Sequence, residues 1–311
     1  MSDETRLIDA LRSIAGHPGA RDLRDDAAVI PTPLGRDLVL THDMIVEGVH
    51  FLPGDPPGDV AWKLLAVNLS DLAAKGAEPI GVLMGYGLTG RPDWDEAFVA
   101  GLARALDHFG VPLLGGDTVA QPPGDSRVLG LTALGQTAPG GAPDRRGARA
   151  GDRLFVTGPI GDAGLGLRIA RGELDGSRRL LKAYRLPMPR LAEGRALAPL
   201  AHAMADVSDG LLIDAGRIAA ASGLAVHIDL DAVPLSAEAR TFGDERAARL
   251  AAASAGDDYQ LLCAVPPEAR DAAAAIAVEI GGFEAGAGVH LHDHDGAVPL
   301  PARLGYEHGD I

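Results

Sequence analysis

The chain carries a single cysteine, Cys263, in 311 residues. A lone thiol closes no intrachain disulfide and builds no cysteine-rich metal site, so nothing points to an oxidising compartment. Basic residues are also scarce, 28 against 43 acidic, for a net charge of -15. Such a surface repels phosphate backbones, which argues against nucleic acid as a partner. No apolar run reaches the roughly 18 residues a membrane span needs. The opening MSDETRLIDALRSIAG reads as a short amphipathic helix without the basic start and apolar core of a signal peptide, so a cytoplasmic location is expected. The GxxxxGK[ST] phosphate loop is missing too, and the glycines between Gly161 and Gly166 lack dinucleotide-binding spacing. They read as a tight strand-to-helix connection.

What is present is ordinary globular composition, with 47 % apolar and 23 % charged residues. Alternation over Asp37–Asp43 predicts a strand that delivers Asp43 at its end. Helical spacing marks Asp59–Lys75 and Asp95–Phe109, closed by Gly76 and Gly110. Strands are expected at Val111–Leu114, opening into Gly115-Gly116-Asp117-Thr118, and at Val128–Leu134. The stretch Ala138–Gly151, rich in Pro, Gly and Arg, reads as a linker. Beyond it come a strand at Arg153–Val156, helices at Gly161–Arg171 and Arg190–Met204, and a turn at Asp206–Gly210 leading a helix to Ala221. Strands at Ala225–Leu230 and Tyr259–Val265 and a helix at Glu268–Ile280 complete the pattern. The expected fold is α/β (α+β) in two domains, 1–140 and 149–311.

Several segments share one design, a small-residue turn carrying one or two aspartates. They are Asp25-Asp26-Ala27, Thr41-His42-Asp43, Asn68-Leu69-Ser70-Asp71, Gly115–Thr118, Asp206–Gly210 and Gly256–Tyr259. Magnesium takes hard oxygen ligands, usually a few carboxylates plus substrate phosphates, and adjacent glycines let backbone approach a phosphate. The composition therefore suits a metal-bridged nucleotide site. Asp, Gly and Ser also populate ordinary turns and caps. On that plainer reading Asp209 and Asp257 are caps, Asp71 a solvated helix residue, Arg145 a linker charge and Tyr306 a packed aromatic. His290, His292 and His294 alternate along a strand and suit an outer polar face better than zinc, and Cys263 reads as a small core residue.

In this order, DDAAVI, THDMIVEGVHF, WKLLAVNLSDLAAKGAEP, LLGGDT, DVSDGL and GDDYQL resemble the thiamine-monophosphate kinase family of the aminoimidazole-ribonucleotide-synthetase-like superfamily. The resemblance implies the two-domain fold of that superfamily, a homodimer paired through the N-terminal sheets, and Mg²⁺-dependent transfer of the ATP γ-phosphate to thiamine monophosphate. It implies magnesium ligands at Asp26, Thr41, His42, Asp43, Asp71, Asp117, Asp206 and Asp209, with Asp117, Asp71 and Asp209 the most directly catalytic. ATP contacts fall on Gly116, Asp117, Arg145 and Ser208, and thiamine monophosphate contacts on His50, Asp257 and Tyr306. Three departures stand out: Arg24 where the family has glycine, and Asp257 and Gln260 where it has glutamates. Direct in-line attack by the substrate phosphate is expected, since a phosphate dianion needs no strong general base. The competing readings are another ATP-using member of the superfamily, of the purine-synthesis or hydrogenase-maturation type, and a non-catalytic nucleotide-binding protein.

Overall fold

Alternation along DLVLTHDMIV sends Val39, Thr41 and Ile45 inward and leaves His42 and Met44 exposed, a strand with one wet face. The computed structural model describes residues 24–25, 28–31, 35–122, 124 and 126–307. The helix expected at the N-terminus and Asp26 lie outside the described residues.

The first half contains β1 (Ala28–Pro31), β2 (Asp37–Val46), α1 (Pro57–Ala74), β3 (Glu78–Leu88), α2 (Pro92–Phe109), β4 (Leu113–Ala120) and β5 (Val128–Gln136). Its strands form one sheet in the order β1-β2-β5-β3-β4, antiparallel except for the β3–β4 pair. Val39, Ile45, Val82, Leu129 and Leu131 pack from this sheet onto Leu64, Leu65, Leu69 and Leu72 of α1 and Phe98 and Leu102 of α2. The two helices approach closely because each has a glycine at the crossing: a Cβ on Gly101 would lie 2.2 Å from the Gly58 Cα.

The second half contains β6 (Arg153–Val156), α3 (Asp162–Ala170), α4 (Arg178–Arg185), α5 (Leu191–Leu197), β7 (Ala203–Asp206), α6 (Leu211–Ser222), β8 (Leu224–Asp229), α7 (Ala237–Arg240) and α8 (Arg246–Ala253). It ends with β9 (Leu261–Val265), α9 (Arg270–Ala274), β10 (Val278–Ala285), β11 (Gly288–Asp293) and β12 (Gly296–Val298). The second sheet runs β12-β11-β8-β10-β6-β9-β7, with β8 and β11 its parallel pair. One face packs on α6 through Val226, Ile228, Ile218 and Leu211. The other meets the end of α1, where Phe155, Met204, Leu261 and Cys263 close over Ala73 and Ala74. Cys263 is thus core, and burial pushes its thiol up.

Four expectations change. Residues 115–118 are not a turn but lie inside β4, which runs on to Ala120. The helix read over Arg190–Met204 stops at Leu197, and Ala203–Asp206 is a buried strand. The helix read over Glu268–Ile280 ends at Ala274; Val278 onward is strand, because Ile280 and Phe283 supply the core of the second sheet. Tyr259 and Gln260 precede β9 rather than belonging to it, since Tyr259 has a left-handed backbone, φ 49°.

The α1–α2 crossing gives the first test. Gly101→Ala forces the helices apart and should destabilise the protein by about 1–3 kcal/mol, read as a lower denaturant midpoint at unchanged slope. A midpoint equal to that of the wild type would refute the close-packing account.

Candidate active site

Helix α1 is buried on nearly every side between the first sheet, α2 and the second half. Its polar residues cannot reach bulk water, so each must find a partner inside. Asp71 accepts a hydrogen bond from the Thr41 hydroxyl on β2. Asn68 accepts from the Asp43 backbone N–H at 2.8 Å and donates to Leu64 O at 2.9 Å. The Ser70 hydroxyl donates to Asp206 Oδ2 at the end of β7, at 2.6 Å. These three contacts draw Asp43, Asp71 and Asp206 together from three elements. Asp71 is therefore no solvated helix residue.

A groove of about 720 Å³ opens over this cluster. Asp25, Asp43, Asp71, Asp206, Asp209, Ser208 and Arg145 line it, as do His50, Asp257, Tyr259 and Tyr306. Burial raises the Asp71 carboxyl well above its ordinary range, and Asp43 and Asp206 push it further. Burial likewise lifts Asp206 to about 7, partly offset by the Ser70 hydrogen bond and reinforced by Asp214 and Asp43. Asp43 is raised by burial as well. Arg145 is half-buried and faces these acids from the groove wall, so it is not a solvated linker charge.

The DVSDGL turn is organised by a residue the sequence reading passed over. Asp214, in the first turn of α6, accepts the backbone N–H groups of Ser208, Asp209 and Gly210 at 3.1, 3.0 and 3.2 Å. An acid placed four residues into a helix pattern after a glycine is the available signal. Arg217, one turn on, donates to Asp209 Oδ2 and to Asp214 Oδ1 and also lines the groove. The C-terminal segment returns over the same turn, with the Tyr306 N–H donating to Asp209 O at 2.9 Å.

In the GDDYQL segment the two aspartates divide their roles. Asp258 is the cap, accepting from Gly161 N and Ala163 N at the start of α3 at 2.6 and 3.2 Å. That seats the Gly161–Gly166 connection as expected. Asp257 instead faces the groove from a left-handed backbone, φ 70°. Gln260 is buried and accepts from Thr157 and Arg190 at 3.1 and 2.8 Å, away from the groove lining. Arg24 is exposed. In the EGVHF loop, His50 Nδ1 accepts the Val46 N–H at 3.0 Å, so neutral His50 carries its proton on Nε2.

Three expected site residues, Asp117, His42 and Gly116, do not join the cluster within one chain. The register aligns Asp117 with Gly85, Gly130 and Met44, on the face of the sheet opposite α1. The His42 side chain shares that outer face and hydrogen-bonds Thr132 Oγ1 at 2.9 Å. Gly116 is required by packing, since a Cβ there would sit 2.0 Å from Met84 O. Among the described residues no three acidic, thiol or imidazole side chains are gathered as a ready-made metal cage. The histidine run also divides: His290 and His292 lie on β11, where His290 stacks on His227 with ring centroids 4.7 Å apart, while His294 falls in the turn after the strand and reaches Asp231 at 2.8 Å.

Residues 24–137 match the family described as AIR synthase related protein, N-terminal domain, and residues 149–287 match its C-terminal domain. The chain is an AIR-synthase-related protein, the class its two sheets and acidic groove define. Within that class it belongs to the thiamine-monophosphate kinase family. The thiamine-monophosphate kinase of Caulobacter vibrioides is 46% identical over 308 residues, covering 94% of this chain and 87% of that protein. The solved structure of AaThiL complexed with AMPPCP and TMP superposes with a TM-score of 0.85 at 30% identity, covering 97% of this chain and 96% of that one. The Stenotrophomonas maltophilia thiamine-monophosphate kinase gives 0.76 at 36% identity over 91% of this chain and 93% of its own. With the hydrogenase maturation protein HypE in complex with ATP, at 22% identity and a TM-score of 0.71 over 97% and 95% of the chains, only the fold is shared.

The raised carboxyl groups make a pH prediction. The folded-state value of Asp206, about 7, lies above the ordinary carboxylate value. The folded protein therefore holds a proton that the unfolded chain has lost, and metal-free stability falls as pH rises toward and through about 7. A bound cation must expel that proton. The rise in melting temperature on adding saturating Mg²⁺ should be larger at pH 8 than at pH 6, and Asp206→Asn should shrink the difference. Equal rises at both pH values would count against a carboxylate cation site.

Proposed function

We propose that this chain transfers the γ-phosphate of ATP to thiamine monophosphate, forming thiamine diphosphate and ADP. The observation that carries the reading is the one groove in which Asp43, Asp71, Asp206, Ser208 and Arg145 share walls with His50, Asp257 and Tyr306. The donor set fits magnesium: hard carboxylate oxygens brought to one groove wall, with room left for substrate phosphates and water to complete the coordination. Mg²⁺ held by Asp26, Thr41, Asp43, Asp71, Asp206 and Asp209, with His42 contributing backbone, would supply the positive charge that neutralises the triphosphate.

The chain's own groups do the positioning. Arg145 pairs with a nucleotide phosphate beside Ser208, and its half-buried place in the groove wall strengthens that attraction. Arg217 holds the Asp209 carboxylate in place. His50, Asp257 and Tyr306 take the thiamine monophosphate. A phosphate oxygen of that substrate forms the new P–O bond as the bond from the γ-phosphorus to the bridging oxygen breaks, and the electron pair leaves with ADP. The attacking dianion has no proton to lose, so the groove needs no general base.

Residues 1–140 form the metal-binding and pairing domain on this reading, and 149–311 complete the groove, in a cytoplasmic homodimer. No helix among the described residues is long and apolar enough to cross a membrane. Pairing is supported by the outer face and open edge of the first sheet. Met44, Leu83, Leu114 and Val119 are each 42–56 % exposed there, beside β4, the end strand of the sheet among the described residues. Asp117 and Gly116 lie on that same strand, and on this reading each groove receives the partner subunit's Asp117.

Incubation with ATP, Mg²⁺ and thiamine monophosphate should yield thiamine diphosphate and ADP in equal amounts by chromatography. ATP consumption without thiamine diphosphate would defeat the substrate assignment. Asp71→Asn and Asp117→Asn should each cut turnover by about 10²-fold or more while melting cooperatively. Mixing the two inactive variants should restore about a quarter of wild-type activity, because half the dimers are mixed and each has one intact site. No recovery after subunit exchange would place Asp117 in its own chain's groove.

A further inference from the structure

Lys63 is the one lysine in α1, and its side chain is only 3 % exposed. A buried ammonium is strongly unfavourable unless its donors are used. Here they are: Nζ donates to Asp257 Oδ2 at 2.7 Å and to His50 O at 2.8 Å, and it lies 4.2 Å from the centroid of the Tyr184 ring. Lys63 itself does not line the groove, but Asp257 and His50 both do.

The pairing is more specific than a generic buried ion pair. Asp257 and Tyr259 are the only non-glycine residues with positive φ among the described residues, a backbone state that L side chains avoid. The Asp257 carboxylate is held from both sides, by Lys63 on Oδ2 and by the Tyr259 hydroxyl on Oδ1 at 3.0 Å. Its orientation in the groove is therefore set by a helix 194 residues away in sequence. The same ammonium fixes the carbonyl of His50 in the EGVHF loop. Lys63 also lies eight residues before Asp71 on one continuous helix, an axial rise of about 12 Å. One rigid element thus sets the spacing between the acidic cluster and the Asp257–His50 pair.

We infer that Lys63 is a positioning residue for the acceptor substrate: it presents Asp257 and the His50 loop to thiamine monophosphate and takes no part in holding ATP. This deepens the kinase reading and rests on it for the identity of the acceptor. Removing the ammonium releases a partly exposed carboxylate into solvent and loosens the His50 loop, while the Asp43–Asp71–Asp206 cluster keeps its own contacts with Thr41, Asn68 and Ser70.

The test is steady-state kinetics with each substrate varied, together with calorimetric binding of thiamine monophosphate in the absence of ATP. Lys63→Met should raise KM for thiamine monophosphate about ten-fold or more, with KM for ATP and kcat nearly unchanged. Calorimetric affinity should fall by a similar factor. Added to Asp257→Asn, Lys63→Met should cost less than it does alone, because only the link to the His50 carbonyl remains to be cut. Lys63→Arg keeps the buried charge and with it the fold, and should show the same acceptor-selective defect at about three-fold. Equal losses for both substrates, additive effects with Asp257→Asn, or unchanged acceptor binding in either Lys63 variant would overturn the assignment. A wild-type protein that binds thiamine monophosphate but forms no thiamine diphosphate would instead refute the kinase reading, leaving the calorimetric comparison to judge Lys63.

Discussion

The structure depends on the burial of α1 on all sides from Lys63 to its end at Ala74. A helix with no wet face cannot leave a polar side chain unpaired, and this one contains Lys63, Asn68, Ser70 and Asp71. Each is satisfied by a different piece of the molecule: the Asp257 turn, the Asp43 backbone, the end of β7 and the Thr41 hydroxyl. The hydrogen bonds that relieve the helix are therefore the bonds that assemble the groove. The apolar positions of the helix join the two cores, through Leu64 and Leu69 on one side and Ala73 and Ala74 on the other.

Gathering acids has an electrostatic consequence. Asp43, Asp71 and Asp206 repel one another in a poorly solvated place, and all three carboxyls are raised. The chain offsets this with cations placed around the cluster. Lys75 is fully buried against Asp25 at 2.5 Å, Arg145 lies among Asp214, Asp25 and Asp206, and Arg217 bridges Asp209 and Asp214. On the proposed reading, a divalent cation and a nucleotide phosphate fit the remaining imbalance. An acidic protein with no glycine-lysine loop can on that reading bind a triphosphate, because the positive charge comes from solution rather than from the fold.

Much of this was legible from residue order, and the exceptions have physical causes. Helices α1 and α2 follow from their apolar spacing, and β2 from its alternation. The strand β3 was passed over because its glycines and Pro79 break the alternation, and only pairing with β4 and β5 makes it a strand. The helix read across Arg190–Met204 fails because Ala, Leu and Met suit either state, and β9 claims Ala203–Asp206 as a neighbour. The groove-lining residues Asp71, Asp206 and Asp209 were marked by their motifs. Asp214, Arg217 and Lys63 were not, because nothing local distinguishes a buried charge with a distant partner from a charge on a wet helix face.

The sequence by itself determined the chemistry available: hard oxygen donors beside small residues, no thiol cluster, no basic surface, and an order of motifs that places the chain in its family. It did so because turn residues and helix periodicity are local properties. Only the tertiary structure decided how those donors are used. Sheet register put Asp117 on the outer face and Asp43 on the inner one, a distinction that alternates with every residue and cannot be read without the pairing. Burial likewise separated Asp257, aimed into the groove, from its neighbour Asp258, committed to a helix start. The clustered aspartates of the sequence became a site because one fully buried helix had to satisfy its own polar groups.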